Sequence, residues 1–367
     1  MDYTHLNQVR EWVGQQQADI AYFSNFESVH YLTGFGSDPL ERVLALVVFP
    51  NKDPFIFAPA LEVEVVKATG WPYDVYGYQD HEDAFKMIAE NIKKRDTNPA
   101  SWIIEKESLT VDRFEAIHQY FPAAKFDADA TEYMAKMRMV KTPAEIALLH
   151  QAGRDADFAM ETGWKALAEG KSELQVAAEL EYASKIRGVV GMSFDTLIQA
   201  GAHAADPHGA TSDIKIARDE LILFDLGTIY QGYISDTSRT VAFGKPSEKQ
   251  LEVHKVVLEA ELAAQAAAKP GITAAQLDKV ARDIITKAGY GEYFIHRLGH
   301  GMGMGEHEYP SIMEGNDLEI VPGMTFSIEP GIYIPGVVGV RIEDSVAITE
   351  TGAESFTHTP KELQYFD

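Results

Sequence analysis

The sequence predicts an α+β protein: a small N-terminal α/β domain followed by a larger α+β domain that carries the chemistry. Three observations predict it. The chain has 367 residues, enough for two buried cores. Short apolar runs alternate with helical patterns through its first third. After a stretch of well-capped helices, strand patterns dominate from Glu220 onward.

Residues 18–23 (ADIAYF), 42–49 (RVLALVVF) and 54–58 read as buried strands, because unbroken apolar runs are bounded there by Gly, Pro and Asp. Residues 83–94 have helical spacing. The pattern breaks at 121–131 (FPAAKFDADAT), which sets the expected domains at 1–124 and 125–367. Beyond the break, Thr142-Pro143-Ala144-Glu145 supplies an N-cap, a proline at N1 and a glutamate at N3. Ile146 and Leu149 begin the buried stripe of that helix. Further helices are expected at 173–187, at 248–269 (Ala-rich and closed by Pro270-Gly271) and at 274–288. No sequence repeat or low-complexity tract occurs.

The net charge is 32 − 56 = −24. An acidic chain without a Lys/Arg cluster argues against nucleic acid as a partner, since phosphate binding needs a basic face. There is no cysteine, which excludes disulfides, thiolate zinc sites and a cysteine nucleophile. The N-terminal MDYTHLNQVREWVGQQQ lacks the apolar segment of a signal peptide, and no apolar run approaches the roughly 18 residues of a membrane span. The expected address is the cytoplasm.

Five side chains carry the chemical signal: Asp225, Asp236, His300, Glu329 and Glu343, in LFDLG, SDTSRT, GHGMG, SIEPG and RIED. Four carboxylates and one imidazole form a hard, oxygen-rich set that suits divalent cations better than structural zinc. Two cations about 3.5–4 Å apart activate water and clamp a tetrahedral intermediate. Strands at 221–229 and 233–243, turning at Gln231-Gly232, allow Asp225 and Asp236 to stand directly opposed on one face, with Cβ atoms roughly 4.5–5.5 Å apart. Asp225 sits inside an apolar run, where an uncompensated charge is costly. The glycines around His300 permit close backbone approach. Their spacing is not a dinucleotide fingerprint, and no HExxH follows His296 and His300. Glu329 ends an apolar strand at Pro330, and alternation sets Arg341 and Glu343 on one face.

His208 in DPHGA and His307 in GEHEYP are candidate proton carriers or oxyanion donors. Arg297 beside the glycine loop is a candidate fork for a substrate carboxylate, competing with a plain surface ion pair.

The motif series DLG, DTSRT, GHGMG, HE, SIEPG and RIED resembles the pita-bread metallopeptidases, which include methionine aminopeptidase, aminopeptidase P and prolidase. YLTGFGSDPLERV resembles the creatinase-type domain that precedes the catalytic domain in the last two. GYGEYFIHRLGHG and FTHT are similar to the bacterial Xaa-Pro dipeptidases of lactic-acid-type bacteria. The resemblance implies a C-terminal pita-bread domain preceded by a smaller creatinase-type α/β domain. It implies two divalent metals per subunit, Mn²⁺ first with Co²⁺ or Zn²⁺ as alternatives, held by Asp225, Asp236, His300, Glu329 and Glu343. The implied reaction is hydrolysis of Xaa-Pro dipeptides by a metal-activated hydroxide, with His208, His307 and Glu329 catalytic. Arg297, Arg341 and, across a homodimer, Asp38 are the expected substrate-binding residues. Glu306 departs from the family, which more often has a bulky apolar residue before this histidine. The alternatives are an aminopeptidase P acting on longer peptides, or a non-catalytic binding protein on the same fold.

Overall fold

A computed structural model describes residues 3–207 and 209–367. The chain divides into two compact units, one ending at Met137 and one running from Arg138 to Asp367.

In the first unit, α1 (Thr4–Gln15) buries Leu6, Val9 and Val13, and β1 (Ile20–Phe23) leads to α2 (Phe26–Thr33). The Asn25 side chain caps α2 by accepting the Ser28 N–H, and Gly34 ends it at φ 73°. Next come β2 (Ala45–Val48), β3 (Phe55–Pro59), α3 (Val63–Ala68), β4 (Asp74–Tyr78), α4 (Ala84–Arg95), β5 (Ser101–Ile104), α5 (Val111–His118) and β6 (Lys125–Asp129). The sheet order is β4-β3-β2-β1-β5-β6. Strand alternation divides the core: Ala21, Phe23, Leu46 and Val48 pack with α1, whereas Tyr22, Val47, Phe55 and Phe57 pack with Ile88 and Ile92 of α4. Both faces are covered, which explains the continuous apolar runs. The units divide later than the expected 124/125, because β6 pairs in parallel with β5 and completes this sheet.

Beyond the bridging α6 (Thr131–Met139), the second unit begins with α7 (Pro143–Ala166), which carries the expected Thr142/Glu145 capping box. It continues with α8 (Glu173–Arg187), β7 (Leu197–Ala200), β8 (Glu220–Leu226), β9 (Ile229–Tyr230), β10 (Tyr233–Ile234), β11 (Thr237–Phe243), α9 (Glu248–Ala267) and α10 (Ala274–Lys287). The remaining strands are β12 (Gly299–Gly301), β13 (Glu308–Ile312), β14 (Thr325–Ile328), β15 (Gly331–Ile334), β16 (Val338–Arg341), β17 (Glu343–Ile348), β18 (Ala353–Ser355) and β19 (Tyr365–Phe366). The main sheet runs β13-β12-β14-β17-β11-β8-β7, with β18 on β17 and β19 on β11. One apolar core packs α9 and α10 against Phe326, Ile328 and Val346. Another packs α7 and α8 against Ile222, Phe224 and Val241.

The two long strands expected at 221–229 and 233–243 are each broken. Gly227 and Ser235 press together so closely that a Cβ on Gly227 would lie 1.8 Å from the Ser235 carbonyl oxygen. Ser235 Oγ accepts the Thr228 N–H there at 2.8 Å. The turn beyond uses positive φ at Gln231 (49°) and Gly232 (83°), the geometry of a two-residue type I′ hairpin.

Candidate metal centre

The metal-ligand candidates come from adjacent strands of the main sheet. The turn at Gln231-Gly232 sets a ladder in which Tyr230 pairs with Tyr233 and Asp225 with Ser238. The sequence suggested that Asp225 stands directly opposite Asp236; the register instead places Ser238 there. Asp236 lies two residues before Ser238, on the same side but one diagonal step away, a spacing of ~7–8 Å between such neighbours. Ser238 in turn faces Glu343 across β11 and β17. The β14–β17 register pairs Ile328 with Asp344, so one step further brings Glu329 level with Glu343. His300 on β12 joins this row, its N–H donating to Ser327 Oγ at 3.0 Å.

One ligand atom each from Asp236, His300 and Glu343 lies within 4.8 Å of the others, and all three residues are buried. His300 Nε2 stands 3.6 Å from Asp236 Oδ2 and 3.3 Å from Glu329 Oε1. Burial, reinforced by His307, holds the His300 pKa down to about 3, so these approaches are not ion pairs at neutral pH. Its Nδ1 lies 3.2 Å from the Gly301 carbonyl, which fixes Nδ1 as the donor and leaves Nε2 with a lone pair.

Burial and then neighbouring carboxylates hold Asp236 and Glu343 well above the usual carboxylate range. Burial lifts Glu329 to about 7, against the pull of Arg341. Asp225 Oδ1 and Glu343 Oε1 are buried without a hydrogen-bond partner. Orphaned carboxylate oxygens, mutual repulsion and a neutral imidazole make a donor set that a divalent cation satisfies. The residues fit the metal.

All five ligand candidates line one cavity of about 520 Å³, together with Arg297, Glu306, His307 and Arg341. Phe194, Pro207 and Ile295 supply its apolar wall. The His300 and His307 rings meet edge to face, 4.2 Å apart. Arg297 is half-buried and donates to Ser311 Oγ at 2.9 Å. Arg341 is buried with its donors engaged: Nη2 to Asp225 Oδ2, Nε to Ser238 Oγ at 2.9 Å and Nη1 to the Tyr333 hydroxyl at 2.7 Å. It therefore acts on the carboxylate row, while Arg297 lines the cavity beside it. His208 lies outside the described residues. Asp38 belongs to the first unit, where its Oδ1 accepts the Leu40 N–H at 2.9 Å.

Several supporting residues escaped the sequence reading. Ser238 donates to Glu343 Oε2 at 2.6 Å, and Ser327 to Glu329 Oε1 at 3.0 Å. Each sits two residues from a predicted ligand, so strand alternation was an available signal. Tyr333 and Phe194 carry no such signal.

Comparison with known proteins matches these features to two family models: Metallopeptidase family M24 over residues 147–350, and the Creatinase/Prolidase N-terminal domain over residues 5–140. The chain is 51% identical over 361 residues to an Xaa-Pro dipeptidase of Lactobacillus helveticus, covering 98% of each. It is similar to the solved prolidase of Pyrococcus furiosus, with 37% identity and a TM-score of 0.87, covering 96% of this chain and 99% of that one. An X-Pro aminopeptidase of Thermotoga maritima also superposes, at 31% identity and a TM-score of 0.86, covering 95% and 98%. The α+β fold expected from the sequence, a creatinase-type domain ahead of a pita-bread domain, is borne out, and a divalent metal follows from the family. The chain belongs to metallopeptidase family M24.

Proposed function

We propose that this chain is an Xaa-Pro dipeptidase that uses two divalent cations, Mn²⁺ foremost, to release proline from dipeptides. The observation that carries the reading is one cavity holding both the carboxylate–histidine cluster and Arg297. A dipeptide presents its free carboxylate next to the bond that breaks, and in a chain of net charge −24 a cation must receive it. The L. helveticus dipeptidase, alike over 98% of its length, supports the same substrate class.

Asp225, Asp236, His300, Glu329 and Glu343 would hold the cations. When bound, divalent cations lower the pKa of water and polarise the scissile carbonyl. Glu329 accepts the proton of the attacking water and passes it towards the prolyl nitrogen, which leaves as a secondary amine. His307 supports the carbonyl or that departing nitrogen, and the resemblance assigns the oxyanion to His208. Arg297 receives the substrate carboxylate. Phe194, Pro207 and Ile295 face the side chain that precedes proline. The reading includes a cytoplasmic homodimer in which Asp38 reaches the neighbouring active site; an Asp38→Ala variant with unchanged Xaa-Pro kinetics would remove Asp38 from it. Among the described residues no helix is long and apolar enough to cross a membrane.

The likeness to an X-Pro aminopeptidase at TM-score 0.86 favours one second reading, removal of an N-terminal residue from longer peptides. Metal-stripped protein is assayed on Leu-Pro and Leu-Pro-Pro, with and without Mn²⁺. Mn²⁺-dependent cleavage of the dipeptide alone is the expected result. Preference for the tripeptide would make it an aminopeptidase P. No cleavage of either would refute both.

A further inference from the structure

Ser238 and Glu343 meet on the cavity side of the sheet, and their next neighbours meet on its back. Ser238 and Glu343 are register partners between β11 and β17, and in front Ser238 Oγ donates to Glu343 Oε2 at 2.6 Å. Behind them, Arg239 Nη2 donates to Asp344 Oδ1 at 2.6 Å. The same guanidinium reaches through to the backbone: Nη1 donates to the carbonyls of Ser238 at 2.9 Å and Glu343 at 2.5 Å. One buried cation thus grips the main chain of both residues that pair in front.

Arg239 is held from a segment that follows every ligand in sequence. The Thr359 carbonyl accepts from its Nε at 3.1 Å and Nη2 at 2.8 Å. Asp344 accepts from Thr357 Oγ1 at 2.9 Å, and Lys361 Nζ lies 2.7 Å from its Oδ2. Lys361 also stands 2.9 Å from Glu261 on α9. Arg239, Asp344 and Glu261 are each at most 1% exposed. A buried charged cluster of this kind is weak support for stability, because apolar residues of similar volume stabilise as well or better. Its geometry instead fixes the position of two carbonyls.

We infer that Lys361 is a positioning residue for the metal centre, holding Asp344 and through it Arg239 so that the backbone of Ser238 and Glu343 sets Glu343 as a ligand. The inference rests on Glu343 binding metal, as proposed above. Groups hydrogen-bonded directly to metal ligands typically contribute roughly 10–100-fold to metal affinity, and Lys361, acting through Asp344 and Arg239, belongs at the lower end of that range.

The test is calorimetric titration of metal-stripped protein with Mn²⁺, well below the melting temperature of each variant. Lys361→Met should weaken Mn²⁺ binding by about tenfold or more, and Lys361→Arg should recover most of it. Thr357→Val removes one donor to Asp344 at nearly constant volume and should weaken binding in the same direction, by less; it decides the matter if Lys361→Met does not fold. Unchanged Mn²⁺ affinity, with only a lower melting temperature, would overturn the inference. A wild-type protein that binds no Mn²⁺ would overturn the metal site and this inference with it.

Discussion

Raising the pH of the metal-free protein should destabilise its second unit, and a divalent cation should reverse the loss. In the folded chain Asp236, Glu329 and Glu343 keep protons that the unfolded chain releases above the ordinary carboxylate range. The folded state therefore binds more protons, and stability falls as pH rises. Glu329 alone moves from 4.5 to about 7; at ~1.4 kcal/mol per pH unit this reaches a ceiling of about 3 kcal/mol. His300 acts with the opposite sign. Its folded form stays neutral down to about 3 while the unfolded imidazole protonates below 6.5, so its contribution grows with pH across that interval. Between 4.5 and 6.5 it offsets Glu329, and His254, lowered to about 4, likewise offsets Glu261, raised to about 7, so the raised Asp236 and Glu343 tip the slope downward. Between 6.5 and 7 the imidazoles no longer oppose, and the three carboxyls of the row act together with Glu261. Mn²⁺ at 100 times its Kd adds about 2.7 kcal/mol. For a unit of 367 − 138 + 1 = 230 residues, that raises the melting temperature by roughly 5–11 °C. The assay is differential scanning calorimetry of chelator-treated protein from pH 5 to 8, with and without Mn²⁺, following the transition of the second unit. A metal-free midpoint that rises steadily with pH, or one that falls equally with Mn²⁺ present, would refute the reasoning.

Other substitutions probe separate links of the site. Arg341→Met strips Asp225 of its buried cationic partner and should cost about 3–5 kcal/mol in metal-free urea denaturation, with the deficit shrinking when Mn²⁺ is added. Gly299→Ala would put a Cβ 1.8 Å from the Ser327 carbonyl; parting β12 from β14 should cost about 4 kcal/mol or more, and metal affinity should fall with it. Lys141→Met leaves Glu308, which accepts the Met304 and Gly305 N–H groups, without its 2.9 Å partner. It should cost about 3 kcal/mol and lower turnover on Leu-Pro more than Mn²⁺ affinity, because the loop it holds carries His307.

Local chemistry was legible wherever it is decided locally. The helix at Glu173–Arg187 has the expected bounds, and Thr142 with Glu145 forms the expected box. The Ala-rich helix stops at Ala267, two residues short of the expected 269. The ligand candidates were readable because a charge inside an apolar strand, or at its end, is costly unless a counter-charge or a metal compensates it. Register was less legible. The sequence separation of Asp225 and Asp236 carried the parity that keeps them on one side, but not the two-residue offset, which follows from the register that the Gln231-Gly232 turn imposes. The Arg239–Asp344–Lys361–Glu261 cluster was invisible, because its members come from β11, β17, a late loop and α9, and nothing in their spacing announces a meeting. The domain boundary falls later than the sequence pattern places it because the alternating KFDAD of β6 has exposed charged positions, which look like a linker until the neighbouring strand is known.

The late segment from Phe356 to Phe366 has a consequence for the order in which the molecule is made. Its β19 pairs with the end of β11 remote from the ligand row, while Thr357, Thr359 and Lys361 hold Asp344 and Arg239 behind that row; all of it is synthesised after the ligand candidates. The strands bearing Asp225 and Glu343 are themselves over a hundred residues apart in the chain, so the sheet that joins them closes late in synthesis. The first unit has its sheet and both its cores complete by Met137, and can fold while the remainder is still emerging from the ribosome. Vectorial synthesis thus delivers the sheet of the first unit before that of the second. The charged interior of the second unit closes only after β17 and the segment 357–361 have been made and docked.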